Sequence, residues 1–235
     1  MLRFVSLFFA LSILGPAAAA QRPVTQRPTA QHPAKTRHQV TATADSGTFI
    51  VVHGRDTVAT EQFGRTAAEL HGALELASLA HGIQQYLAVI APDATVPVVE
   101  ITVRMASDSG PTTGRIVQRA RVIFKDDSAA VDALTDHGIE THLFATQRGA
   151  VPYLNLSFAL LEQAVRRARA LKKDRAEVPF FNLGGGETAV GKFAPIGADS
   201  LAFTIGEIEY RLQVDSVGRL LGGQIPKQDV LVLRR

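Results

Sequence analysis

Thr66–Ile90, TAAELHGALELASLAHGIQQYLAVI, is the stretch whose reading decides the fold. Two periods compete in it. Leu70, Leu74, Ala77 and His81 recur at helical spacing, and the alanine and leucine content suits a helix. Alternation fits as well: Leu70, Gly72, Leu74 and Leu76 face one way, and Glu69, His71, Ala73 and Glu75 the other. Gly72 inside the run and the break at His81-Gly82 favour two long strands joined near Ala80–Gly82.

Outward from this stretch the strand signals continue. Val40–Ala44, Thr48–His53 and Thr57–Phe63 precede it, separated by the turns Asp45-Ser46-Gly47 and Gly54-Arg55-Asp56. Val96–Met105 follows, with Val99, Ile101 and Val103 on one face and Glu100, Thr102 and Arg104 on the other. Ser107–Pro111 turns the chain into Thr113–Lys125. Ala129–Leu134 reads as a strand or a short helical turn, and Gly138–Arg148 as a strand. Later come Val178–Leu183, Thr188–Phe193, Ser200–Ile205, the cleanly alternating Glu207–Val214, Arg219–Gly222 and Asp229–Leu233.

One segment reads differently. In Val151–Leu171, VPYLNLSFALLEQAVRRARAL, the residues Phe158, Leu161, Val165 and Ala168 form an apolar stripe at helical period. Asn155 or Ser157 can cap its first turn. Its far end carries Arg166, Arg167, Arg169, Lys172, Lys173 and Arg175, where positive charge suits the helix dipole. One amphipathic helix among ten or more meandering strands must cover a sheet or plug a curved one. The expected class is therefore mainly β: a large curved antiparallel sheet, an incomplete barrel, with the helix packed on or inside it.

The N-terminus sets the compartment. Residues 1–20 have one basic residue, Arg3, an apolar run Phe4–Leu14 broken by Gly15-Pro16, and an A-x-A site at Ala18–Ala20. This is the pattern of a secretory signal cleaved near Ala20, which implies a periplasmic or secreted protein. Residues 21–38, with prolines at 23, 28 and 33 and no acids, read as a disordered basic linker. Residues 39–235 read as a single β-rich domain. The chain has no cysteine, so disulfides are excluded and the domain must rely on its core.

Composition removes several function classes. The 25 basic and 22 acidic residues give a net charge of +3, too mild for nucleic-acid binding, and 6% aromatics leave little for base stacking. After residue 20 no second apolar run reaches spanning length, so no transmembrane helix is expected in the mature chain. A membrane β-barrel is disfavoured by the lack of aromatic girdles and by the closing Arg234-Arg235.

Motifs for chemistry are sparse. His137 and His142 flank Glu140 in DHGIETH, but that spacing does not put two imidazoles on one helix face as a zinc site requires. His53, Asp56 and Glu61 cluster early, yet no G-x-S-x-G surrounds any serine, and Ser157 is explained by capping. Gly184-Gly185-Gly186-Glu187 reads as a turn. No catalytic residue, metal ligand or cofactor is assigned. The expected ligand-facing or core side chains are Leu74, Leu76, Tyr86, Leu87, Ile101, Val103, Phe124, Tyr153, Phe158, Leu161, Phe180, Phe181 and Tyr210.

The strand series, with a helix entered at Val151-Pro152-Tyr153-Leu154 and left before Val178-Pro179-Phe180-Phe181, resembles the curved-sheet bacterial envelope carriers of the LolA/LppX type. The closing run Glu209–Leu220 resembles the ends of other exported bacterial β proteins. The carrier resemblance implies an incomplete barrel holding a helical plug and sheltering a lipid or other apolar small molecule. The alternative is an envelope structural or interaction module without enzymatic activity. In it, the basic cluster from Arg166 to Arg175 and the basic linker meet an anionic envelope surface or a protein partner.

Overall fold

Alternation wins throughout the decisive stretch. In the computed structural model, which describes residues 45–79, 82–105, 114–135 and 137–235, Glu69–Leu76 and Gly82–Val89 are strands joined through a 3₁₀ turn at Ala77–Leu79. Leu70 and Leu74 are buried, whereas Glu69, His71 and Glu75 are exposed. The expected signal, the linker, the strand Val40–Ala44, the turn Ser107–Pro111, Ala80, His81 and Asp136 lie outside the described residues.

The strands run in order as β1 (Asp45–His53), β2 (Asp56–Arg65), β3 (Glu69–Leu76), β4 (Gly82–Val89), β5 (Val98–Met105), β6 (Ile116–Lys125), β7 (Ser128–Thr135) and β8 (Gly138–Ala145). Then come β9 (Val151–Tyr153), the helix α1 (Phe158–Ala170), β10 (Ala176–Asn182), β11 (Thr188–Gly197), β12 (Ser200–Ile205), β13 (Ile208–Val214), β14 (Leu220–Ile225) and β15 (Val230–Arg234). All fifteen form one sheet in the order β8-β7-β6-β5-β4-β3-β2-β1-β15-β14-β13-β12-β11-β10-β9. Two meanders thus meet where β1 pairs β15, with Val51 opposite Val232. A long meander was expected. The last pair was not: β9 runs parallel to β10, with Val151 opposite Phe180, because α1 supplies the long crossover that a parallel pair needs.

The sheet bends without closing into a barrel. Register shifts at Val51/Val52, Val103/Arg104, Pro195/Gly197 and Gln213/Val214 add local twist. At one end the two extremities touch. Phe144 and Phe124 meet Phe181 with ring centres 5.9 and 5.5 Å apart, and Thr188 Oγ1 donates to Thr146 Oγ1 at 2.8 Å.

The helix is enclosed more completely than its sequence stripe suggests. Besides Phe158, Leu161, Val165 and Ala168, the side chains of Ala159, Leu160, Glu162, Gln163 and Ala164 are buried. A helix of thirteen residues buried on most of its circumference must be clasped from several sides. Around it Phe49, Val51, Leu70, Leu74, Val178, Phe180, Phe203, Leu212 and Leu220 complete the core. No helix among the described residues is long and apolar enough to cross a membrane.

Candidate functional site

Two features of the concave face bear on function: a buried polar anchor that fixes α1, and the stretch of concave surface that α1 leaves uncovered.

The anchor begins at the N-terminus of α1. Ser157, in extended conformation, caps the helix by accepting from the Leu160 amide, as one of the two expected caps. Beneath it stands Glu61 of β2, fully buried. Its Oε2 accepts the Phe158 and Ala159 amides at 2.7 and 2.9 Å, and its Oε1 accepts the hydroxyls of Tyr86 (2.7 Å) and Ser157. One carboxylate thereby satisfies helix amides that would otherwise be orphaned and lies at the positive end of the dipole. Burial pushes the Glu61 carboxyl above its ordinary range, outweighing the pull of these four donors. Burial likewise pushes the Tyr86 phenol up, and the neighbouring Glu61 adds to that.

One turn further along, the anchor becomes ionic. Arg65 of β2 donates to Gln163 and, at 3.3 Å, to the Ala159 carbonyl, while its Nε faces Glu162 Oε1 at 3.3 Å. That Nε contact is an ion pair without hydrogen-bond geometry. Glu162 also receives Arg166 (3.0 Å), Arg234 of β15 (2.9 Å) and the Leu220 amide (2.9 Å). Arg234 pairs with Asp45 at 2.7 Å and lies over the Phe63 ring at 5.0 Å. Burial lowers the Arg65 pKa to about 10, still far above neutrality. The buried charges are paired and hydrogen-bonded, the condition under which such groups are tolerated inside a protein. Every polar atom of Glu61 and Ser157 engaged here serves to dock the helix.

Gly72 makes the geometry possible. It lies opposite Tyr86 in the β3–β4 ladder, and a Cβ there would come within 2.3 Å of the Tyr86 ring. Without a side chain at 72 the ring crosses β3 and its hydroxyl reaches Glu61 on β2.

The uncovered surface follows from reading two concave-face rows across the ladders. In the first, Leu70, Ala88, Val99 and Val122 are buried, their neighbour Val131 is half-buried and His142 is exposed. In the second, Tyr86 and Ile101 are buried, and Ala120, Ala133 and Glu140 are half-buried. In both rows exposure is greater at β7 and β8 than at β4 and β5, while in the next row Ala129, between Phe124 and Phe144, is buried. This half-open stretch of the concave face, the trough, carries Val103, Ala120, Val131 and Ala133, all half-buried, with Gln84, Gln118, Glu140 and His142 as polar groups. The Gln84 Oε1 atom is enclosed and has no hydrogen-bond partner among the described residues.

The ligand-facing candidates divide accordingly. Leu74, Tyr86, Ile101, Phe158, Leu161, Phe180, Phe181 and Tyr210 are buried in the core. Leu76, Phe124 and Tyr153 pack against it. Between the helix start and Tyr153, Phe203 and Tyr210 the remaining void is about 10 Å³, no more than one water. Val103 lies in the trough and Ile101 borders it. Leu87 stands on the convex face opposite Glu100, 39% exposed, because it is one residue out of phase with Tyr86 and Ala88. Gln84, Ala120, Val131 and Ala133 were not singled out from the sequence, since alanines and valines in alternation signal only a strand.

The other candidates are also placed. Arg166, Arg167 and Arg169 reach back into the molecule, to Glu162, to Asp93 and to the Ser216 carbonyl. Lys172, Lys173 and Arg175 are exposed. His53 faces Asp56 across the β1–β2 hairpin, and His71 is convex-side beside Leu87. His142 Nε2 stands 3.8 Å from Glu140 Oε2, and no cluster of metal-ligating side chains occurs among the described residues. Gly184–Gly186 forms the β10–β11 turn, where the Gly185 and Gly186 amides donate to the Asn182 carbonyl.

No protein-family model matches the chain, and no curated protein matches it in sequence. Among solved structures the chain is similar to the crystal structure of a DUF1089 family protein from Pseudomonas aeruginosa. The two share 13% identity at a TM-score of 0.52, over 74% of this chain and 91% of that one. At that identity the likeness is one of fold.

Proposed function

We propose that the protein is an exported binding or carrier module for an amphiphilic molecule, held with its apolar part in the trough of β5–β8. The observation that carries this reading is the gradient of exposure along the concave rows: the helix covers one part of the concave face and leaves small apolar side chains half-open on the rest. Apolar surface shaped this way gains by burial about 25 cal/mol per Å². The polar groups Gln84, Gln118, Glu140 and His142 suit a headgroup rather than a plain hydrocarbon. The sequence resemblance to curved-sheet envelope carriers points the same way, with the pocket moved from around the helix to beside it. Residues 1–20 supply the export signal on this reading.

Titration with an apolar fluorescent probe tests it. The protein is expected to take up the probe, and Ala133→Trp, which fills the trough, to weaken uptake at least tenfold while the fold is retained. Absence of uptake, or uptake unaffected by Ala133→Trp, overturns the assignment. Among the described residues the alternative, an interaction module using the basic cluster, rests on Lys172, Lys173 and Arg175, since the three arginines of α1 are engaged internally.

A further inference from the structure

The two edges of the sheet are built oppositely. The β9 edge has three residues, one of them Pro152, and offers little ladder to pair with. The β8 edge has eight residues, no proline and no register shift against β7, and carries Ile139 and Leu143 at 72% and 75% exposure. Among the described residues only its C-terminal end, at Phe144 and Thr146, is covered by β10 and β11; the apolar edge before it is of the kind that invites another strand.

We infer that β8 pairs with β8 of a second copy of this chain, antiparallel and centred on Thr141, joining two sheets into one. Self-complementarity selects this occupant and this register. A two-fold axis at Thr141 sets Ile139 of one copy against Leu143 of the other on the convex face. On the concave face it sets Glu140 against His142, twice. Counting from the hairpin's closing pair, Thr135↔Gly138, by the two-residue alternation of an antiparallel ladder, Ile139, Thr141 and Leu143 turn their N–H and C=O groups away from β7. These are the residues a pair centred on Thr141 must bond through, and they leave Glu140 and His142 in the closer, non-hydrogen-bonded pairs. Centring on Glu140 or His142 instead would set carboxylate against carboxylate or imidazole against imidazole, whereas a centre at Thr141 opposes only two neutral hydroxyl side chains. Within one copy Glu140 and His142 are only loosely engaged, at 3.8 Å, and Thr141 Oγ1 is already held by Asp132 at 2.7 Å. Convex Leu134, 50% exposed beside Ile139, extends the apolar row across the joint.

Sedimentation equilibrium of the purified protein over a dilution series tests the pairing. A monomer–dimer equilibrium is expected. His142→Glu, which opposes carboxylates at both concave positions, should weaken it at least tenfold, and Glu140→Lys should also weaken it. Mixing the two variants should restore a heterodimer, because the introduced lysine then faces the introduced glutamate. A monomer at every concentration overturns the inference, as does a dimer indifferent to His142→Glu. Circular dichroism of each variant confirms that loss of dimer is not loss of fold. Leu143→Lys is the second disrupting variant should either charge variant fail to fold. The readout is molecular mass in the absence of probe, so failure of the pairing is distinguishable from failure of probe uptake, and Leu143→Lys, on the convex face, disrupts the pairing without touching the trough.

Discussion

Glu61 on β2 accepts the amide of Phe158 at 2.7 Å, although 97 residues separate them in the chain. That contact joins the start of the helix to the middle of the sheet, and the trough exists because α1 is held there rather than further along the concave face. Replacing Glu61 by Ala leaves two helix amides and two hydroxyls without their acceptor in a dry site. Urea unfolding is expected to show a loss of about 3 kcal/mol or more. Glu61→Gln retains one acceptor oxygen and should cost less. Equal stability of all three proteins would show that the helix is held by apolar packing alone.

The same carboxyl makes stability pH-dependent in a definite direction. Because burial raises the folded-state pKa of Glu61 above its ordinary 4.5, the folded state holds this proton more tightly than the unfolded state. Linkage then makes the Glu61 contribution fall as pH rises from about 4.5 through the folded-state pKa. Measured against Glu61→Gln, which does not titrate, the native protein should be relatively most stable at the acid side of that window. A difference that grows with pH would contradict this.

Gly72→Ala should force the Tyr86 ring off its place and weaken its bond to Glu61. Overpacking of this kind costs about 1–3 kcal/mol. The cost should shrink in a Tyr86→Leu background, where the ring is gone. A double-mutant cycle with no coupling would mean that the 2.3 Å approach is relieved elsewhere.

Arg65→Met tests the ionic half of the anchor. It removes one partner of Glu162 and the donor to Gln163, leaving a buried carboxylate supported by Arg166 and Arg234. A loss of about 3–5 kcal/mol is expected in thermal or urea unfolding. A neutral result would assign the support of Glu162 to the other two arginines.

Much of the fold was legible along the chain because strand alternation and helix period are local signals. Thr66–Ile90 resolved into β3 and β4 through Leu70, Leu74 and the break at Gly82. Ala129–Leu134, which reads locally as a strand or a short helical turn, lies in β7, where tertiary pairing on both sides settles a weak local preference. The strand at Val151–Tyr153 was masked by its place directly before the helix. Of the anchor only the Ser157 cap and an inward-facing Tyr86 were legible; Glu61, Arg65, Glu162 and Arg234 come from distant segments, and a glutamate and a glutamine on a helix read as solvent-facing. Their arginine partners are what permit the helix to be buried on that side. Gly72 reads in the sequence as a strand signal, while its reason, the Tyr86 ring, sits on the next strand.

The most direct test of the trough uses the absence of cysteine from the chain. A single Ala133→Cys variant, labelled with an environment-sensitive dye, reports the concave face, and Arg121→Cys reports the convex face. On adding monomeric lysophospholipid, the dye at position 133 should shift to the blue and saturate, while the dye at 121 stays unchanged. No response at 133, or the same response at both positions, would contradict a ligand held in the open part of the concave sheet.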